Sequence, residues 1–299
     1  MNKTSVRQKI FLWLLVGLLP CLAWNLMTFE SRSLFHPHSS DFPSDPLAAI
    51  ARHPLRSRVQ EISFMTQDGQ ILNGWYVPAQ QHKPTIVFAH GNGGNIGDRY
   101  AMLLPFIQKG YGFLAFDYRG YGKSTGSPSE EGFYKDMQAA SRYLQQVQQI
   151  PPDQQIAMGE SIGSAVAVES ASHIPFRAVV IFSTLTNTPA VASHLRDTNG
   201  LGWLSCLPIT QIMRQRFDSL ARMHHIHAPL IIMHGEADSM MPLSMPKTLY
   251  AQAGSRHKKL LIIPQAGHNN VLMLGEQRLL PALDALLTET VESPSAQAG

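Results

Sequence analysis

Short apolar runs alternate with longer mixed stretches along most of this chain. Thr85-Ile86-Val87-Phe88-Ala89 and Pro229-Leu230-Ile231-Ile232-Met233 are unbroken by polar residues over about the length of a strand, which is the pattern of strands buried on both faces. By the same criterion strands are expected at residues 61–66, 71–77, 85–89, 113–117, 156–158, 179–182, 230–233 and 260–263. The first two form an opening hairpin, and the later ones are separated by segments long enough to hold a helix. Such alternation predicts an α/β fold: a mostly parallel eight-stranded sheet with helices on both faces. One helix carries a clear start signal, with Ser127 as N-cap, Pro128 at the first position and Glu130 closing a capping box.

The sequence around three of these strand ends carries the candidate chemistry. Residues 156–158 run into Gly159-Glu160-Ser161-Ile162-Gly163, and an Ala-, Val- and Ser-rich helical stretch follows. A serine between glycines at a tight strand-to-helix turn is lifted above the sheet edge, at the positive end of the helix. An unassisted hydroxyl is a weak nucleophile, so it needs a base, and the base needs an orienting carboxylate. In this strand–turn–helix arrangement the chain order is serine, acid, histidine. The strand at 230–233 leads into His234-Gly235-Glu236-Ala237-Asp238, and that at 260–263 leads into Gln265-Ala266-Gly267-His268. Ser161, Asp238 and His268 are therefore expected at one edge of one sheet, where open parallel sheets bind ligands. Glu236 competes with Asp238, but Asp238 lies farther into its turn. Backbone donors for a developing oxyanion are expected from Ile162, directly after the serine, and from Asn92 or Gly93 in the glycine-rich loop His90–Asn95. His90 reads as a structural hydrogen-bonding residue.

Other readings fail on spacing. Gly120-Tyr121-Gly122-Lys123-Ser124 would need glycine where Asp117 stands to form a phosphate loop, and neither glycine cluster completes a dinucleotide fingerprint. His224-His225-Ile226-His227 crowds its imidazoles into a short connection, a poor chelate geometry. No metal and no organic cofactor is expected.

These motifs stand in the order found in a known family. Thr66-Gln67-Asp68-Gly69, Leu72-Asn73-Gly74-Trp75, the loop from His90 to Asn95, Asp117-Tyr118-Arg119-Gly120-Tyr121-Gly122, Gly159 to Gly163, Arg216-Phe217-Asp218, His234 to Asp238 and Gly267-His268 follow one another. The chain resembles the alpha/beta hydrolases, and within them the membrane-anchored serine hydrolases that include protein depalmitoylases and monoacylglycerol-lipase-like enzymes. The resemblance implies the alpha/beta-hydrolase fold and a serine hydrolase that cleaves carboxylic esters or thioesters through an acyl-enzyme. A serine peptidase or amidase on the same fold is the alternative, disfavoured by the lack of His-Gly-Gly-Pro-Gly in the loop at His90. A non-catalytic anchored binding domain is the remaining reading. Met240-Met241 departs from the smaller branched residues of relatives, with an effect expected on packing near the acid.

Composition adds limits. A chain of 299 residues with 44% hydrophobic content can bury one sizeable core and carry an appendage. A formal charge of +3 without a basic run leaves no nucleic-acid footprint, so the partner expected is a small-molecule or lipid-like acyl substrate. Cys21 and Cys206 make no disulfide framework. Lys3, Arg7 and Lys9 precede the uncharged residues 10–27, which as a helix would span about 27 Å. Residues 1–27 are read as a signal anchor, with a cleaved signal peptide as the alternative. The basic flank would stay cytoplasmic and the remainder would be membrane-tethered on the exocytoplasmic, periplasmic side.

Residues 28–54 read as an irregular tether, 55–292 as the hydrolase domain and 293–299 as a disordered tail. Residues 184–226 are too long for a simple connection and are either a small lid or a helical excursion packed on the sheet. Because every motif lies beyond Pro54, a chain beginning there is expected to keep hydrolytic activity.

Overall fold

The computed structural model describes residues 30–37, 54–206 and 208–289. Eight strands form one sheet: β1 (Gln60–Met65), β2 (Ile71–Val77), β3 (Thr85–Ala89), β4 (Gly112–Phe116), β5 (Gln155–Glu160), β6 (Ala178–Phe182), β7 (Leu230–Gly235) and β8 (Lys258–Ile263). Their order is β1-β2-β4-β3-β5-β6-β7-β8. Both pairs made by β2 are antiparallel, and the pairs from β4 to β8 are parallel.

Alternation of side chains builds two cores. In β3, Val87 and Ala89 face one side, and Ile86 and Phe88 the other; in β7, Leu230 and Ile232 oppose Ile231 and Met233. The helices α1 (Tyr100–Gln108) and α7 (Val271–Glu289) cover the second face, where Phe106 and Leu283 are fully buried. On the first face lie α2 (Glu130–Gln146), α3 (Ile162–Ala171) and α6 (Ser244–Gln252). The parallel strands explain their apolar runs, since a strand covered on both sides has no solvent face to mark with polar residues.

The helix expected to start after Ser127 begins two residues later. Ser129 is still extended, at φ −161° and ψ 157°, and its side chain accepts from the Gly132 amide. Pro128 packs against Gly120 instead of opening the helix, because the turn at Gly120–Gly126 folds back onto its ring.

Residues 184–226 hold α4 (Thr188–Thr198), 3-10 turns at Gly202–Cys206 and Leu220–His225, and the single turn α5 (Ile209–Ile212). The expected anchor over 1–27, Cys21 and the tail over 293–299 lie outside the described residues. Among the described residues no helix is long and apolar enough to cross a membrane.

The tether expected to be irregular is ordered in part. Residues 30–34 form a helical turn, and His36 bridges to Gly93. Phe35 is the reason: it is 5% exposed and packs edge-on against Phe133 at 5.1 Å and Phe217 at 6.2 Å. Burying such a ring contributes about 2–3 kcal/mol, enough to hold a short segment down.

Candidate active site

β3, β5, β7 and β8 run in parallel, so the turns after them share one edge of the sheet. Ser161 follows β5 directly, with φ 54° and ψ −121°. A non-glycine residue is strained there. Its backbone is held by an amide bond to the Phe182 carbonyl at 3.0 Å and by the Ser164 hydroxyl, which donates to the Ser161 carbonyl. Gly159 and Gly163 allow the turn to close: a Cβ on Gly163 would press into the Ala89 carbonyl, and one on Gly159 into the backbone of Gly163.

The structure brings Ser161, His268 and Asp238 into one hydrogen-bonded chain. His268 Nε2 lies 3.0 Å from Ser161 Oγ, and His268 Nδ1 lies 2.8 Å from Asp238 Oδ2. A carboxylate only accepts, so Nδ1 carries the proton and Nε2 is left to accept from the serine hydroxyl. The His268 backbone is fixed as well, its carbonyl accepting from Ser183 Oγ at 2.6 Å.

Asp238 Oδ1 accepts from the amides of Met240 at 3.0 Å and Met241 at 2.9 Å. Burial alone would raise this carboxyl, but the His268 hydrogen bond and charge, with the Met241 amide, outweigh it and hold the pKa below the ordinary carboxylate value. Asp238 is thus ionised at neutral pH. Glu236, its competitor in the sequence, is exposed. Buried His234 donates from Nε2 to the Met241 carbonyl at 2.8 Å, and burial lowers its pKa, so it stays neutral beside Asp238.

Ile162 opens α3, where the first N–H of a helix has no partner within the helix. For the Asn92 amide no intramolecular acceptor is found among the described residues. Both residues line the pocket with Ser161. The Asn92 carbonyl accepts from Tyr121 Oη at 2.8 Å and from the His36 amide at 3.0 Å, and its side chain donates to the Leu34 carbonyl at 3.1 Å. His90 is fully buried and donates from Nδ1 to the Gly91 carbonyl at 2.7 Å.

Sequence reasoning missed an ion pair behind this loop. Glu160 Oε2 accepts from Arg99 Nε at 3.0 Å and from the Gly91 amide at 3.1 Å, while Arg99 Nη1 donates to the Gly93 carbonyl at 2.6 Å. The available signal was slight: Glu160 fills the variable position before Ser161.

Above Ser161 opens a pocket of about 730 Å³, a size that suits a small-molecule ligand. One wall is aliphatic, made by Leu185, Val191, Ala192 and Leu195 on and before α4. Ile212 and Met213 also line it, so the excursion over 184–226 contributes to the pocket at two places. Met240 and Met241 form part of the lining, so these two residues touch the ligand space as well as the acid. Among the described residues no group of three or more His, Cys, Asp or Glu side chains is placed to hold a metal ion. His224 and His225 lie with ring centroids 3.8 Å apart, tilted by 42°, and are exposed.

Residues 84–205 match the family described as the alpha/beta hydrolase fold, and residues 186–274 match the family described as serine aminopeptidase, S33. The uncharacterized protein MT2364 of Mycobacterium tuberculosis is 30% identical over 281 residues, covering 92% of this chain and 94% of the relative. The chain belongs to the alpha/beta-hydrolase superfamily. As an alpha/beta hydrolase it also resembles solved structures. The esterase Pf2001 of Pyrococcus furiosus superimposes with a TM-score of 0.65 at 19% identity, over 86% of this chain and 97% of that one. An alpha/beta hydrolase of Vibrio vulnificus gives 0.67 at 18% identity, over 89% and 93%. At these identities the likeness is one of fold.

Proposed function

We propose that this hydrolase cleaves carboxylic esters or thioesters of apolar acyl groups. The observation that carries the reading is the Ser161–His268–Asp238 hydrogen-bonded chain at the floor of an aliphatic pocket. Ser161 Oγ attacks the acyl carbon as His268 Nε2 takes its proton. Asp238 holds the imidazole in the tautomer this needs and stabilises the imidazolium that forms. The amides of Ile162 and Asn92 receive the oxyanion, aimed by a loop already braced before substrate arrives. Collapse expels the alcohol or thiol, which takes the proton from His268. Water activated by the same imidazole then releases the acid from the acyl-enzyme.

A fluorophosphonate probe and a nitrophenyl ester series test this. Wild-type protein should label and turn over, and Ser161→Ala should do neither. Labelling that survives the substitution removes Ser161 from the role of nucleophile.

The match of residues 186–274 to the serine aminopeptidase family keeps an amidase as second reading. An aminopeptidase must hold a substrate ammonium, and Glu30 is the carboxylate lining this pocket. Its Oε1 already accepts two amides, from Arg214 and Gln215, each at 2.9 Å. Turnover on matched ester, thioester and aminoacyl-amide substrates separates the readings; preference for the amide favours the peptidase.

For the amino-terminal residues 1–27 we propose a signal anchor that leaves the hydrolase domain periplasmic, on the strength of the basic flank and the uncharged stretch after it. The intact chain should then resist carbonate extraction, and protease added to spheroplasts should reach the domain. A soluble mature form starting near Trp24 would indicate cleavage instead.

A further inference from the structure

We propose that residues 30–36 are a specificity element of this hydrolase, with Leu34 fixing how long an acyl chain the pocket accepts. This inference rests on the acyl-ester reading above.

Glu30, Ser33 and Leu34 line the same pocket as α4. Their spacing, i, i+3 and i+4, is that of one face of a helical turn, and the turn is closed by the Phe35 amide donating to the Ser31 carbonyl at 2.9 Å. Phe35 is buried in the core among Phe133 and Phe217. The turn is thus clamped with one face toward the ligand space. Its two ends are fixed independently. At the start, the Glu30 carboxylate accepts the Arg214 and Gln215 amides and so joins the turn to the excursion over 184–226. At the far end, the His36 amide donates to Asn92, the Gly94 amide donates to His36 at 3.2 Å, and the Asn92 side chain reaches the Leu34 carbonyl.

Leu34 is the apolar side chain that this turn contributes to the lining, and it is half-buried against the core. Ile162 and Asn92, the residues proposed to supply the oxyanion donors, line the same pocket as Ser161, Leu34, Val191 and Leu195, so an acyl chain bound there shares its space with Leu34. The longer the acyl group, the more of that lining it must share with the Leu34 side chain. Bulk at position 34 should therefore discriminate by chain length while leaving attack on the carbonyl untouched.

The test uses the full chain and nitrophenyl esters from acetate to palmitate. Leu34→Trp should lower kcat/KM for the long esters at least tenfold relative to the acetate, and Leu34→Ala should shift the preference toward longer or bulkier acyl groups. Ser33→Trp serves as a second variant because Ser33 is exposed yet lines the pocket, so its replacement disturbs no packing. Retained acetate turnover shows that each variant is folded and its machinery intact. Chain-length profiles parallel to wild type in Leu34→Trp, Leu34→Ala and Ser33→Trp would overturn the assignment of this turn while leaving the ester reading standing. A wild-type protein that hydrolyses no ester and takes up no fluorophosphonate would overturn both.

Discussion

Arg99 Nε and Glu160 Oε2 meet at 3.0 Å, which ties the residue immediately before the proposed nucleophile to the loop that carries Asn92. The same carboxylate oxygen accepts the Gly91 amide, so one buried charge pair links the segments that carry the two proposed oxyanion donors. Glu160→Gln keeps an acceptor for Gly91 and drops the charge that holds Arg99. We expect kcat to fall by up to about 10²-fold with KM little changed, because the loss is of donor placement and not of acyl binding. Steady-state kinetics on one ester checks this; a change in KM alone would show that the pair does not position the loop.

The two carboxylates of the turn after β7 should differ sharply. In Asp238→Asn the amide oxygen stays on the Met240 and Met241 amides and the NH2 donor turns to His268 Nδ1, which favours the wrong tautomer and should cost about 10⁴-fold in kcat, the size of loss seen when such an acid is replaced. Exposed Glu236 should tolerate Gln within about twofold, as surface substitutions usually do. Equal damage from both, with circular dichroism unchanged, would reopen the choice of acid.

Gly163→Ala should fail on steric grounds. The added methyl presses into the Ala89 and His90 carbonyls, backbone atoms that cannot move without disturbing β3 and its loop. Overpacking of this kind typically costs about 1–3 kcal/mol and at times more. A lowered melting temperature is expected together with loss of fluorophosphonate labelling. Normal melting and labelling would mean that the turn is looser than its contacts imply.

His90 and Asp117 supply a test by pH. They face each other unexposed, Nε2 to Oδ1 at 3.7 Å. Burial lowers His90 from 6.5 to about 3 and raises Asp117 from 3.8 to about 7. Between about pH 4 and 6.5 the folded pair keeps one proton on Asp117, and the unfolded pair keeps one on His90. The counts match, so the pair adds little pH dependence. Asp117→Asn removes the compensation. The unfolded His90 then binds a proton that the folded one refuses, and stability should fall as pH drops from 6.5 toward 3, by about 1.4 kcal/mol per unit. His90→Gln should show the opposite slope, losing stability as pH rises from about 4 to 7, because folded Asp117 retains a proton that the unfolded chain has released. Urea melts across that range read the slopes; two variants parallel to wild type would mean that the buried pair is charged.

A chain beginning at Glu30 should retain ester hydrolysis, and one beginning at Pro54 should not. The sequence expectation for a start at Pro54 was activity, since every motif lies beyond it. The buried Phe35 ring and the bonds from Leu34 and His36 to the Asn92 loop reverse that expectation. Loss of a buried phenylalanine alone costs about 3–5 kcal/mol. Equal melting temperature and kcat/KM in the two chains would show that residues 30–36 are dispensable.

What the sequence made legible follows from where burial writes a pattern. The strands β3 to β7 were readable because they are covered on both faces, which leaves them apolar runs with few polar interruptions. Ser161, Asp238 and His268 were readable because each lies just beyond such a run. The choice between Asp238 and Glu236 was less so, since both sit on one short turn and only its folding sets which is buried. Ser127 and Ser129 offered the same capping chemistry, and the packing of Pro128 decided between them. Arg99 and Glu160 are 61 residues apart, and Asn92 and Leu34 are 58 apart. Such pairings leave no periodicity behind: a mixed polar stretch with a few scattered Phe residues reads as a linker until its distant partners are in place.

The hydrogen bond from His268 to Ser161 spans 107 residues, and the turn that walls the pocket precedes both. During synthesis the pocket wall emerges first, the nucleophile midway and the base last. A ribosome-bound chain that has reached only β7 carries Ser161 without His268, and β8 must dock before the hydrogen bond between them can form. On the proposed mechanism the chain is therefore inactive as it is made, and products truncated before β8 should hydrolyse nothing. Activity becomes a readout of completion.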